Sequence, residues 1–329
     1  MRVVAMRRTL LVVATAAAVV GASAGCGGGS SGGSSADVTS AQADDRPIEV
    51  ATTEVFRVRA DQATALATDR RGRLLVGERL TGRVRAIDPA TGDAQSVTTV
   101  TGLDGDLPQG GLLDLAVEAD GRLLASLTAE DGHLVVDELH PADGASTRRW
   151  TGPLSQPEAN GGRLAVLGGD DARVLVGVGD LLNPERAALA DTANGKVMAV
   201  DAEGGAVPWA PGFNNPFALG SDGLATVWIA DNAPGNNPER LLRVTDGRVD
   251  EVASWEDTRV PVGLAVLDES TVAVCFFASG DLVLVNADWP GDATGQRVAT
   301  DCRYGVEAPG PDALAYSTSD EVVLLRLER

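Results

Sequence analysis

The feature that most constrains this chain is a repeat of about fifty residues. "ATALATDRRGRLLVGE" (63–78) is followed by "LLDLAVEADGRLLASL" (112–127) and "GGRLAVLGGDDARVLVGV" (161–178). Then come "PFALGSDGLATVWIA" (216–230), "PVGLAVLDESTVAVCF" (261–276) and "PDALAYSTSDEVVLLR" (311–326). Each unit reads as an apolar strand, a polar turn and a second apolar strand. The landmarks Leu66, Leu115, Leu164, Leu219, Leu264 and Leu314 are spaced by 49, 49, 55, 45 and 50 residues. A β-repeat of this period predicts a propeller, because one blade buries little alone and blades packed around an axis cover each other's faces. Six landmarks predict six four-stranded blades in an all-β fold, with the quoted runs as the two inner strands of each. "RVRAID", "HLVVDEL", "GKVMAVD", "RLLRV" and "DLVLV" read as third strands. The sixth unit reaches the end of the chain after its second strand, so "PIEVATTEVFRVR" (47–59) is expected to complete it and close the ring. A β-sandwich would leave the even period unexplained.

The turns between first and second strands are all short. At the opposite end the connections lengthen: "DGDLPQG" (104–110), "TGPLSQPEANG" (151–161), "GDLLNPERAALADTANG" (179–195), "APGFNNP" (210–216), "DNAPGNNPE" (231–239) and "WEDTRVP" (255–261). Long loops gathered on one face of a rigid scaffold are where function concentrates.

The first 46 residues stand outside this pattern. Arg2, Arg7 and Arg8 precede an apolar run, "TLLVVATAAAVV", and small residues lead to Cys26. This is a secretory signal over 1–25. Ser23-Ala24-Gly25-Cys26 resembles a bacterial lipobox, which implies lipidation of Cys26 and a lipid-anchored protein on the extracytoplasmic face of the cell membrane. The Gly/Ser-rich segment 26–46 then serves as a tether, and 47–329 forms the propeller. An ordinary secretory signal is the alternative. An exported chain meets an oxidising compartment, so Cys275 and Cys302 form either a disulfide or two separate buried thiols. The formal net charge is −20, which argues against nucleic acid as a partner.

The strands and loops together resemble the PQQ-dependent glucose/sorbosone dehydrogenases, also called aldose sugar dehydrogenases. The similarity runs over roughly 60–325 and is carried by "RGRLLVGERLTGRVRAID" (71–88), "QGGLLDLAVEADGRLLASLT" (109–128), "GVGDLLNPERAALADTANGKVMAVDAEGG" (177–205), "GFNNPFAL" (212–219) and "VWIADNAPGNNPERLLRV" (227–244). It implies a six-bladed propeller, with pyrroloquinoline quinone (PQQ) and calcium as cofactors if the family's activity is retained and no cofactor otherwise.

The residues that would carry that activity depart from the family pattern. Removing a hydride from a sugar C1 needs a base for the hydroxyl proton, and the family places a histidine in a stretch like "HxxGRL". Here the stretch is Ala159-Asn160-Gly161-Gly162-Arg163-Leu164, with alanine in the histidine's place. The quinone carries three carboxylates, which ask for fixed cations. The family's arginine in "GHRNPQGL" falls on Asn214, followed by the retained Asn215 and Pro216. Gln109, Asn160, Asn214 and Asn215 are thus the candidate ligand contacts, joined by Arg259 and Arg303 on inter-blade loops of the same face. The resemblance places calcium at Ala233, Pro234 and Asp231. Glu158 and His133 are the substitute candidates for a base; Glu158 serves only if burial raises its pKa. His140 belongs to the other end of its strand, and no Cys/His set has zinc spacing.

Two functions follow as expectations. One is a propeller that binds a sugar, cell-envelope ligand or partner on its loop-rich face without redox chemistry. The other is a PQQ- and calcium-dependent aldose sugar dehydrogenase.

Overall fold

The structure, a computed structural model, describes residues 50–168, 173–233, 238–245, 247–288 and 295–328. Cys26 lies outside the described residues, as do the whole N-terminal segment before residue 50 and Pro234.

Six four-stranded antiparallel sheets make up the domain. Blade 1 runs outward as Ala63–Thr68, Leu74–Glu78, Arg83–Ile87 and Ala94–Thr99. The innermost strands of blades 2 to 5 are Leu112–Val117, Gly161–Leu167, Pro216–Ser221 and Pro261–Val266. Burial explains their composition. The two inner strands are covered on both faces by neighbouring blades and read as continuous apolar runs. The outer strand of blade 1, "AQSVTT", is mostly exposed.

The sixth blade corrects the strand assignment made from the repeat. Its innermost strand is Val306–Gly310, so Ala313–Ser317 and Glu321–Glu328 are its second and third strands. The apolar landmark of this blade is Val306, not Leu314. Glu307, Pro309 and Gly310 dilute the apolar signal of the strand, which hid it. Ala51–Arg59 supplies only the fourth strand, pairing with Glu321–Glu328 from Ala51↔Glu328 to Arg59↔Glu321. The ring is closed by joining both ends of the domain in one sheet.

The core is divided into six apolar clusters, one at each blade–blade interface. Between blades 1 and 2, Leu75, Val84, Leu112, Leu115 and Leu127 pack together. Between blades 4 and 5, Trp228 and Leu241 meet Leu264 and Phe276, and Phe276 stands edge-on to Trp255 at 4.9 Å between ring centres. Each fully buried leucine stabilises by about 2 kcal/mol relative to exposure. Cys275 and Cys302 are bonded to each other and fully buried, tying the second strand of blade 5 to the connection that enters blade 6.

One irregularity recurs. The innermost strands of blades 1 to 5 all shift register at their first residues: Ala63/Ala65, Leu112/Asp114, Gly161/Leu164, Pro216/Ala218 and Pro261/Gly263. A bulge leaves its extra residue out of the ladder and re-aims its polar groups. In four of these blades the carbonyl at the bulge, of Thr64, Leu113, Phe217 or Val262, is left for a partner at the axis, and in blade 3 that of Gly162 accepts from Ser126.

Candidate functional site

The loop-rich face is held by a continuous network around "PEANGGRL". Asn160 is fully buried and both halves of its amide bond the Gln156 backbone, at 2.6 Å each. Ala159 takes a left-handed conformation (φ 57°) and its carbonyl accepts from Leu181 in the long loop of blade 3. Gly161 donates to Asn215 Oδ1 at 2.9 Å. The glycines are required here: a Cβ on Gly162 (φ 95°) would strike the Leu113 side chain, and one on Gly161 the Gly177 carbonyl.

From Asn215 the network passes to blade 4. The Asp231 carboxylate accepts from the Asn214 and Asn215 amides at 3.0 and 2.8 Å and pairs with Arg240 at 2.7 Å. Burial pushes the Asp231 carboxyl up, and the Arg240 hydrogen bond opposes this. Asn160, Asn215 and Asp231 are therefore brought together, but their polar groups are spent within the loops: Asn160 on Gln156 of its own loop, Asn215 on Gly161 and Asp231 on Asn214, Asn215 and Arg240. Of the residues expected at calcium, Asp231 is paired with the Arg240 guanidinium, and Pro234 lies outside the described residues. Ala233 is buried beside them, lining a groove of about 430 Å³ with Phe213, Asn214 and Arg240.

Arg259 and Arg303 form a second centre on the same face. Arg259 lies over Phe276 (5.6 Å) and Trp255 (6.0 Å), anchored by Asp257. Its carbonyl accepts from Ala278. Arg303 donates to the Phe277 carbonyl at 2.6 Å and lies 5.9 Å from the Phe277 ring. The two arginines thus flank one turn, 277–280. Phe277 is 43% exposed, and Tyr304 is 6.2 Å from it. Buried Glu239 holds the Arg259 and Val260 amides at 2.8 and 3.0 Å, which fixes the loop that presents Arg259.

The remaining candidates lie elsewhere. Glu158 is exposed, beside the buried Ala159. His133 Nδ1 lies 2.8 Å from the Gly152 carbonyl, joining the outer two strands of blade 2 far out from the axis. His140, at the other end, meets Thr147. Gln109 is half-buried, and its Oε1 is enclosed without a hydrogen-bond partner.

The axis itself holds a residue bonded to every other blade. Arg163, 4% exposed, aims its guanidinium into the ring of freed carbonyls. Nη1 donates to Thr64 O (2.5 Å) and Leu113 O (2.9 Å), Nη2 to Val262 O (2.5 Å) and Tyr304 O (3.5 Å), and Nε to Phe217 O (3.2 Å). One side chain from blade 3 therefore bonds all five other blades. Asp114 stands 3.8 Å away and accepts from the Leu164 and Leu115 amides. Burial pushes the Asp114 carboxyl up to about 6 against the pull of Arg163. Below the guanidinium lies an axial cavity of about 280 Å³. Neither this plug nor Glu307 in the cavity wall was singled out from the sequence. The available signal was a charge at a repeat position held elsewhere by Ala65, Ala218, Gly263 and Gly305. Lys196, the only lysine, was also missed: it is buried, and Nζ donates to Ala187 O and Asn194 O to brace the long loop of blade 3.

No family model and no curated protein matches this chain. Solved structures do. A PQQ-bound aldose sugar dehydrogenase of Streptomyces coelicolor superposes with a TM-score of 0.72 at 20% identity, covering 86% of this chain and 99% of that one. An oxidoreductase of Thermus thermophilus, described as a glucose dehydrogenase, gives 0.65 at 21% identity, over 85% and 100%. The soluble aldose sugar dehydrogenase of Escherichia coli, in its apo form, gives 0.62 at 17% identity, over 85% and 99%. This chain therefore has the six-bladed fold of the aldose sugar dehydrogenases, as the sequence resemblance implied.

Proposed function

We propose that this protein is a lipid-anchored, extracytoplasmic binding propeller that takes a carbohydrate bearing an acidic group on its loop-rich face. The observation that carries this is Ala159. The position that would accept the substrate proton in a dehydrogenase holds a buried methyl group, surrounded by satisfied backbone. Binding chemistry, by contrast, is supported at Arg259 and Arg303. Arg303 beside the exposed Phe277 ring, with Arg259 on the other side of the same turn, suits a ligand with a carboxylate and an apolar sugar face. The wider envelope of this reading includes a sugar or cell-envelope component as partner and membrane attachment through Cys26.

PQQ fits these residues only in part. Arg259, Arg303 and Phe277 suit a planar carboxylated group. No side chain at Ala159 accepts a proton, and Asp231 is already paired with Arg240 where calcium would be held. No redox step is derived through the quinone. A second reading remains, a PQQ- and calcium-dependent aldose sugar dehydrogenase, favoured by the fold shared with the PQQ-bound Streptomyces coelicolor enzyme. In it the exposed Glu158, one residue from Ala159, would have to act as the base.

Two measurements on the full chain test the choice. Calorimetric titration with glucuronate and with glucose is expected to show acid-dependent binding that weakens at least tenfold in Arg303→Ala. Incubation with PQQ and Ca²⁺, followed by dye reduction across a panel of aldoses, is expected to show no PQQ-dependent turnover. Turnover that disappears on withholding PQQ and falls in Glu158→Gln would establish the dehydrogenase instead.

A further inference from the structure

We propose that the axial cavity is a binding site for a small primary ammonium ion, entered from the face opposite the long loops, with the Glu307 carboxylate as counter-ion. The cavity is separate from the loop-rich face. Arg163 and its ring of carbonyls close it above. Below, it follows the innermost strands down to the short turns, where Gly223 lines it. Its volume of about 280 Å³ is at the low end for ligand pockets, which limits the occupant to a small molecule.

Charge within the cavity is unbalanced. Three ionisable side chains line it: Asp114, Arg163 and Glu307. Asp114 is answered by Arg163 and by two backbone amides. Glu307 accepts hydrogen bonds from Thr68 alone, from Oγ1 at 2.7 Å and from its backbone amide, and both donors are neutral. Among the described residues no arginine, lysine or histidine forms an ion pair with it. The innermost strands of blades 4 and 5 contribute no ionisable group to the cavity. A bound monocation would supply the missing charge.

The repeat gives an independent reason to read Glu307 as more than structural. The cavity wall is built from the same three-residue steps in each blade, and Glu307 takes the position held by Ala67, Ala116, Ala165, Gly220 and Ala265. Five blades form the wall with no more than a methyl group there. The fold does not ask for a carboxylate at this point, and burying one is costly without a partner. Burial, and the neighbouring Asp114, push Glu307 up to about 7, so it is charged mainly above that pH, and a bound cation would hold it in the charged form.

The class of cation follows from the donors available. No group of three or more His, Cys, Asp or Glu side chains among the described residues is arranged to hold a metal. With Asp114 already facing Arg163, Glu307 leaves a hard divalent ion, which takes six or more oxygens, poorly served. An ammonium head has three N–H donors. One meets Glu307, and the others meet main-chain carbonyls on the inner strand edges, which have no further strand to pair with. A short alkyl chain then lies along the leucine and alanine steps of the wall.

The test is calorimetric titration of the full chain at pH 8 with n-butylammonium chloride, with n-butanol and CaCl₂ as separate titrants. Saturable one-site binding of n-butylammonium is expected, with none of n-butanol. In Glu307→Ala the affinity should fall at least tenfold. That variant restores the residue found in four sister blades, so folding is preserved, and an unchanged circular dichroism spectrum checks it. Absence of saturable n-butylammonium binding overturns the proposal. Equal affinity in Glu307→Ala also overturns it, and Ca²⁺ binding alone, lost in Glu307→Ala, replaces it with a metal site.

Discussion

Replacing Arg163 by methionine removes the cation at the axis while keeping an unbranched chain of similar length. Five main-chain carbonyls lose their donor, and Asp114 loses its counter-ion. Hydrogen bonds from a charged donor are worth about 1.5 kcal/mol each at the low end, so the five sum to roughly 7.5 kcal/mol. The full sum will not appear, because water entering from the cavity below can solvate the freed carbonyls. Recovery of about half leaves a net loss near 4 kcal/mol, within the range for breaking a buried charged network. For a domain of this size that corresponds to a fall of about 8 °C in Tm. Urea unfolding followed by tryptophan fluorescence measures the loss directly. The pH dependence is a second readout. Without Arg163 the Asp114 carboxyl rises above its present value near 6, so the deficit should be largest at pH 8 and shrink below pH 6 as the group protonates in both proteins. A loss below 1 kcal/mol, with no pH dependence, would refute the view that this guanidinium joins the six blades.

Three further outcomes are expected. Glu307 has its folded pKa raised from 4.5 to about 7, so its favourable contribution is complete below about pH 4.5 and is lost as pH rises through about 7. Ligand-free Glu307→Ala should therefore gain stability over the wild type by up to ~3 kcal/mol at pH 8, and the gain should vanish towards pH 4.5 in urea titrations. Asp231→Ala leaves Arg240 and two loop amides without their acceptor and should cost about 3 kcal/mol; hydrogen exchange should quicken first at Asn214 and Asn215. The Cys275–Cys302 bridge spans a sequence separation of 27, so Cys275→Ala/Cys302→Ala should lose about 3.5 kcal/mol in guanidinium unfolding.

The architecture was legible because it is local and repeated. Apolar strands covered on both faces leave continuous runs, short turns leave Asp-Gly and Arg-Gly signals, and the fifty-residue step counts the blades. Blade 6 escaped in part, since an innermost strand reading Val-Glu-Ala-Pro-Gly looks like a loop. The loop-rich face was legible by length alone. Which of its residues meet solvent was not: Asn160, Asn215 and Asp231 resemble ligand contacts in the sequence, and all three are buried in loop–loop hydrogen bonds.

By itself, then, the sequence determined the all-β class, the six blades and the N-terminal closing strand. Only the tertiary structure decided what the charged residues of the innermost strands do. Arg163 and its acceptors Thr64, Leu113, Phe217, Val262 and Tyr304 are spread over 241 residues, from 64 to 304. Nothing in the side chains of those five reveals the role, because they contribute only their carbonyls. Closing the ring brings the carbonyls to one height on one axis, and a buried charge is stable where such dipoles converge.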